Sequence, residues 1–365
     1  MSKKVNIINN LIMFSITIGL FFMCPSINHK IYDGDRFVLV LFYVLGAILA
    51  GFVNAVFHEL GHLIAGKKNG FEFNSMTIWF FKWTKVKGKI RFDFCLIGEE
   101  AGYTEMVPTS KENIGKRYAK MTEGGIIVSL ILTIISIVPI ALMNFLPIEA
   151  YAILSMFLPM STYYYLGNAL PMSSEGVKND GATARMLRKN TDEAKVMTNI
   201  LSIQSELYNG KTPCEIDESL YFDLPQLPED NLQFLSLLDA RYAYYLDKED
   251  YENAIKVSDR IEELLEYAPK YYRQPMLVNL LYNACVLTKD FDKADELMYE
   301  VDKYINSVNS AENVRVKLAY LVYVLEEKED LDMFFDKAKR EQSKMALKGL
   351  SKYEEKLVDK IKKDL

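Results

Sequence analysis

The apolar run from Phe37 to about Ala65 is long enough to cross a bilayer as a helix, and it carries His58-Glu59-Leu60-Gly61-His62 near its end. No other feature restricts the chain as much. On a helix, positions i and i+4 share a face, so both imidazoles can hold one Zn²⁺ while the glutamate beside them stands next to water at the metal's open position. The chain has three histidines. The third, His29, lies alone in a polar stretch and reads as an ordinary loop residue. The five-residue motif therefore supplies most of a hydrolytic metal centre at the edge of a membrane, and lacks one ligand.

The length of 365 residues leaves room for two or three domains, and the composition divides them. Residues 1 to about 172 carry the long apolar runs, and the rest is charged and helix-favouring. Four windows approach membrane-spanning length: about 5–26, 37–65, 125–146 and 151–170. The first begins Met1-Ser2-Lys3-Lys4 with no small-residue cleavage site after it, so it reads as an uncleaved span. Lys67 to Lys120 contains eleven Lys and Arg, whereas the 27–36 and 147–150 connections are short. Basic loops stay on the cytoplasmic side, which puts both termini and the end of the second span there and suggests a bacterial plasma membrane. Gly46, Gly51, Asn54, Gly61 and Gly66 give that span small or polar positions for close helix approach.

Between the second and third spans the pattern becomes alternating. Residues 71–80, 89–94 and 102–106 read as short strands, forming a β-rich insertion over 71–106 that lies against the membrane surface. Trp79 and Trp83 suit either the headgroup level or the sheet interior. From about 191 the chain reads as helical. Asp250-Tyr251-Glu252-Asn253-Ala254 recurs as Asp290-Phe291-Asp292-Lys293-Ala294 and more weakly at Asp330-Leu331-Asp332-Met333-Phe334, each 40 residues on. That period suggests a tetratricopeptide-like helical-repeat domain over 232–365, or else an irregular helical bundle. Residues 191–231, with Gly210, Pro213, Pro225 and Pro228, form the helical linker into it. The expected fold is thus mainly α: a polytopic membrane protein with about four transmembrane helices, a small sheet at the membrane surface and a C-terminal helical-repeat domain.

A net charge of −6 argues against nucleic acid as a partner. The four cysteines form no CxxC pair and read as free thiols. With His29 placed across the membrane, the third metal ligand has to be a carboxylate. Asp180, in Asn179-Asp180-Gly181, follows the fourth span and returns to the cytoplasmic side; Glu175 is the rival.

With the HExxH pentapeptide in a membrane helix, Asn168-x-x-Pro171 ending a later one and Asp180-Gly181 after it, the chain resembles the site-2 protease family of intramembrane zinc metalloproteases over roughly residues 37–185. The resemblance implies that His58, His62 and Asp180 bind Zn²⁺, that Glu59 is the general base and that Asn168 lies near the reacting groups. It departs from the family pattern in the longer gap between Pro171 and Asp180, and in Glu123-Gly124-Gly125 and Ser129 where many members have other residues. The implied substrate is a membrane-spanning or membrane-associated protein or peptide, such as a regulatory protein or the precursor of a secreted signal. The helical domain then offers a surface for a peptide or adaptor. A CAAX-processing type of enzyme would need a glutamate on a later helix, and Glu149 falls on the wrong side of the membrane. A non-catalytic membrane-anchored scaffold is the other reading, and it would tolerate loss of Glu59.

Overall fold

The computed structural model describes residues 3–28, 30, 32–95, 102–174, 176–329 and 331–365, the side chains of 270 and 271 excepted. His29, Glu175 and Asp330 lie outside the described residues. The chain divides into two compact units, one of Met1–Thr84, Arg91–Met106 and Gly115–Lys189, the other of Lys85–Ile90, Val107–Ile114 and Asn190–Leu365.

The first unit is built on helices α1 (Lys3–Ser26), α2 (Arg36–Lys68) and α3 (Ile114–Ile135), the last followed by a short α4 (Val138–Ala141). Among the described residues, three stretches are long and apolar enough to cross a membrane: Lys3–Ser26, Arg36–Lys68 and Ile114–Ala141. Their outer faces leave Leu11, Phe22, Phe37, Val40, Leu45 and Ile134 exposed. Side chains of this size stay exposed in rows where lipid is the solvent, so this is an integral membrane protein. The side chain of Asp35 caps α2 by accepting a hydrogen bond from Phe37 N at 2.8 Å, and Lys67 and Lys68 close its last turn.

The expected fourth span is not one continuous helix. It forms α5 (Ile148–Ser155) and α6 (Phe157–Ala169), broken at Met156. Pro159 has no N–H to return to the Ser155 carbonyl, so the helical ladder cannot run through. Helix α2 packs on both pieces and on the first strand. Gly46 permits this: a Cβ there would sit 2.4 Å from the Ile153 carbonyl oxygen of α5.

Among the described residues the insertion contains four strands rather than the three the alternation suggests: β1 (Phe71–Ile78), β2 (Phe81–Val86), β3 (Lys89–Phe94) and β4 (Gly102–Pro108), in the order β3-β2-β1-β4. The chain turns at Trp79-Phe80, pairing Ile78 with Phe81 and Ser75 with Thr84. Trp79 takes the left-handed backbone conformation, φ 55°, that a glycine or asparagine normally signals. Without such a residue the turn is invisible in the sequence. Trp83 stacks beside Phe81 and Phe92 on the sheet, and Trp79 meets Phe52 of α2 edge-on at 5.3 Å. A two-residue pair, β5 (Ser173–Ser174) and β6 (Val177–Lys178), then leads into α7 (Asp180–Arg188).

The second unit is helical: α8 (Asp192–Tyr208), α9 (Ser219–Phe222), α10 (Leu232–Asp247), α11 (Tyr251–Glu263), α12 (Lys270–Tyr282), α13 (Phe291–Ser307), α14 (Ala311–Tyr323), α15 (Leu331–Gln342) and α16 (Lys348–Lys363). Helices α10 and α11, α12 and α13, and α14 and α15 pack as successive pairs, and α16 returns onto α8. The 40-residue recurrence has a physical basis. Asp250 and Asp290 cap α11 and α13 by accepting from Asn253 N and Lys293 N, and Ala254 and Ala294 are both fully buried where a larger side chain would force the pairs apart.

One half-buried acid in this unit gives a pH-dependent expectation. Burial, reinforced by Glu354 and opposed by Arg315, pushes the Glu312 carboxyl up to about 8. In the unfolded chain it ionises near the ordinary value of about 4.3. Between those values unfolding releases a proton, so the native state loses stability as pH rises. Glu312→Gln is expected to leave the unfolding midpoint unchanged at pH 4 and to raise it at pH 8. Thermal unfolding at the two pH values checks this, and an equal shift at both contradicts it.

Candidate metal centre

The last turns of α2 bring the two imidazoles together. His58 and His62 lie on one helical face, with Nε2 atoms 3.1 Å apart and rings perpendicular. Asp180, at the start of α7, places Oδ2 3.2 Å from His58 Nε2 and 3.1 Å from His62 Nε2. It is the only group of three such donors within 4.8 Å of one another among the described residues. Ligands bonded to zinc at about 2.0–2.1 Å in a tetrahedron stand about 3.3 Å apart, so these spacings fit the ion. Asp180 Oδ2 is buried and has no hydrogen-bond donor.

The atoms behind the imidazoles set their orientation. His62 Nδ1 lies 3.0 Å from the Met121 carbonyl oxygen of α3. A carbonyl only accepts, so Nδ1 of the neutral ring carries the proton and Nε2 turns a lone pair toward Asp180. His58 Nδ1 is 2.9 Å from Oγ of Ser129, which is fully buried on the same helix α3. Ser129→Ala and Asn179→Ala, described below, are each expected to weaken zinc binding about 10–100-fold while leaving all three ligands in place. Competition with a chromogenic chelator measures this; unchanged affinity in both would show that neither residue orients the centre.

Glycines let α3 approach. A Cβ on Gly61 would meet the Gly124 carbonyl oxygen at 2.6 Å, and one on Gly124 would meet the Gly61 carbonyl oxygen at 2.4 Å. A Cβ on Gly125 would lie 2.4 Å from His62 Nε2 and 2.7 Å from His58 Cε1. The Glu123-Gly124-Gly125 sequence is thus the wall that closes over the imidazole pair.

Glu59 is buried beside the histidines and contributes no atom to the donor group. Thr104 of β4 donates from Oγ1 to its Oε2 at 2.6 Å. A Cβ on Gly102 would stand 3.2 Å from its Oε1, so β4 passes directly over the carboxylate.

Asp180 is held by its neighbours in sequence. The Asn179 Oδ1 accepts from Met172 N and Ala182 N, each at 3.0 Å, and its Nδ2 donates to the carbonyls of Gly167 and Leu170, each at 2.6 Å. One side chain thereby caps α7 and ties it to the end of α6. Gly181 abuts that end as well: a Cβ there would be 2.4 Å from the Ala169 carbonyl oxygen. Asn168 is bonded within its own helix, donating to the Tyr164 carbonyl at 3.0 Å, rather than to the donor group. Thr104, Asn179 and Gly125 escape a reading of the sequence because each acts through a partner distant along the chain or through backbone carbonyls. Only the Asn-Asp-Gly turn signal hints at Asn179.

No match is found among curated proteins or among solved structures. The sequence model described as Peptidase family M50 matches residues 46–346, from the middle of α2 to beyond α15, with both histidines, Glu59 and Asp180 inside the match. Members of that family are zinc metalloproteases of the site-2 type, in keeping with the donor set and the apolar helices found here. A match over so much of the sequence shows the family, and this chain belongs to the M50 peptidases.

Proposed function

We propose that this protein is an intramembrane zinc metalloprotease that hydrolyses a peptide bond in a membrane-spanning or membrane-associated protein or peptide. The observation that carries the reading is a buried carboxylate, Glu59, fixed by Thr104 beside a group of three donors spaced for zinc. Bound zinc supplies Lewis acidity, polarising a carbonyl and acidifying water. His58, His62 and Asp180 would hold it. Glu59 takes the proton of the attacking water and passes it to the leaving amine, and Thr104 keeps its carboxylate aimed while it does so. Asn168 keeps one amide proton beyond its bond to Tyr164, which it can offer to the developing oxyanion.

A peptide bond in a helix is shielded until the helix unwinds. β4 is an edge of the sheet and carries Gly102 and Thr104 over Glu59, so an unwound substrate segment pairs along it as an added strand. The broken pair α5–α6 makes the fourth crossing, and the basic residues after α2 set the active site and both termini on the cytoplasmic side of a bacterial plasma membrane. The second unit is a tetratricopeptide-like domain that reads a peptide or adaptor. Fragment mapping of membrane proteins co-expressed with the wild type and with Glu59→Gln tests the proposal: new fragments should accompany the wild type alone. The same fragments from both would sink it.

A further inference from the structure

The first unit holds a pocket that the metal ligands do not line. It measures about 610 Å³ and lies between α3, the end of α6 and α7. Ile126 and Ile127 of α3 form one side, and Ala169, Pro171, Gly181 and Ala184 form the other, small residues that leave room a larger chain would fill. Its charged lining is basic apart from Glu123: Arg185, Arg188 and Lys189 border it from α7 and its C-cap. Positions 181, 184, 185 and 188 share one face of α7, so the helix turns its small and its basic residues toward the same space. Arg188 Nη2 pairs with Glu123 Oε1 at 2.5 Å. No carboxylate among the described residues forms an ion pair with Arg185 or Lys189, and both are exposed.

The pocket sits at the membrane boundary. Glu123 is the last charged residue of α3, and none follows until Glu149. From the pocket Ile127, Leu130, Ile131 and Ile134 continue along α3 at helical spacing, and all four are exposed. They belong to a stretch long and apolar enough to cross the bilayer, so this row faces hydrocarbon. Basic side chains in the last turn of α7 complement the helix dipole, which accounts for their charge but not for the pocket they border. Side by side, the two features are a cationic edge for a headgroup and an apolar track for a chain. A soluble anion would use the first alone and leave the isoleucines bare.

We propose that this pocket binds an anionic phospholipid, its phosphate held by Arg185 and Lys189 and one acyl chain laid over Ile126, Ile127 and the exposed row of α3. Arg185 offers a planar fork of donors that matches phosphate oxygens, and Lys189, one turn on, adds a second charge. The long stems of both side chains can lie along the apolar lining while their heads stay in water. Basic pockets beside membrane helices recognise anionic headgroups in this way, whereas a zwitterionic lipid brings a cation of its own to the same edge. The pocket shares α7 with Asp180 but uses none of the metal's donors, so its occupancy does not depend on proteolysis.

The test uses the full-length chain in a neutral detergent, titrated with phosphatidylglycerol or with phosphatidylcholine of the same acyl chains. Native mass spectrometry counts the lipids on each chain and gives the affinity of the first to bind. Phosphatidylglycerol is expected to bind about 10-fold or more tightly than phosphatidylcholine, as two basic side chains at a headgroup provide. Millimolar inorganic phosphate should not displace it, because the acyl chain is part of the fit. The double variant Arg185→Gln, Lys189→Gln should erase the preference while keeping its unfolding midpoint and zinc content, and Arg185→Lys should retain it. Equal affinity for the two lipids, the result expected if the acidic flank of a membrane peptide fills the pocket instead, overturns the proposal. So does release by inorganic phosphate, or a preference that survives the double substitution.

Discussion

Glu59→Gln is expected to lower cleavage by about 10²–10⁴-fold, the contribution of a positioned acid–base group, without changing the zinc content of the purified chain. The glutamine keeps the size of the side chain, and its amide oxygen still accepts from Thr104 Oγ1, so the contact between α2 and β4 survives. What disappears is the capacity to take up a proton. Quantifying substrate fragments together with zinc per chain separates the effects. A scaffold would keep its function in this variant, and a chain that still cuts at the wild-type rate has its base elsewhere.

The second large effect concerns the ion itself. Gly125→Ala should abolish stoichiometric zinc binding, because the added methyl would stand 2.4 Å from the His62 nitrogen that must face the metal. The expected sign is instructive, since glycine-to-alanine inside a helix ordinarily stabilises by about 1 kcal/mol. Here a better helix former should give an emptier protein. Asp180→Ala should weaken zinc by more than the ~10–100-fold lost with an orienting neighbour, since it removes a donor outright. Glu175→Ala serves as the control and should retain zinc. Metal analysis after dialysis against a weak chelator reads all three. Full zinc in Gly125→Ala would mean that α3 does not close over the imidazoles, and loss from Glu175→Ala alone would transfer the third position to that residue.

The sequence displays some of this arrangement openly. His58, Glu59 and His62 are legible because helical periodicity alone puts i and i+4 together, and long apolar runs announce the crossings. Asp180 can be sought only by chemistry and by resemblance, since nothing in Asn-Asp-Gly distinguishes a ligand from a turn. The contacts around them are beyond reach. Thr104 meets Glu59 across 45 residues and Ser129 meets His58 across 71. Neither residue type is unusual for a strand or a membrane helix. The break at Met156 has a visible cause in Pro159, though hydropathy, which averages over the window, hides it. The hairpin turn at Trp79 has no visible cause at all.

The backbone contact of Gly61 with Gly124 has a mechanical corollary. Neither α2 nor α3 can twist or slide past the other without collision there, so the histidines and the groups behind them shift only as one block. Asp180 rides on another element, α7, at the corner that Asn179 laces to Gly167 and Leu170. If the centre admits a bulky chain as proposed, the corner is the part expected to yield. A covalent tether from α2 to α3 should leave turnover untouched, whereas one that pins α7 should stop it.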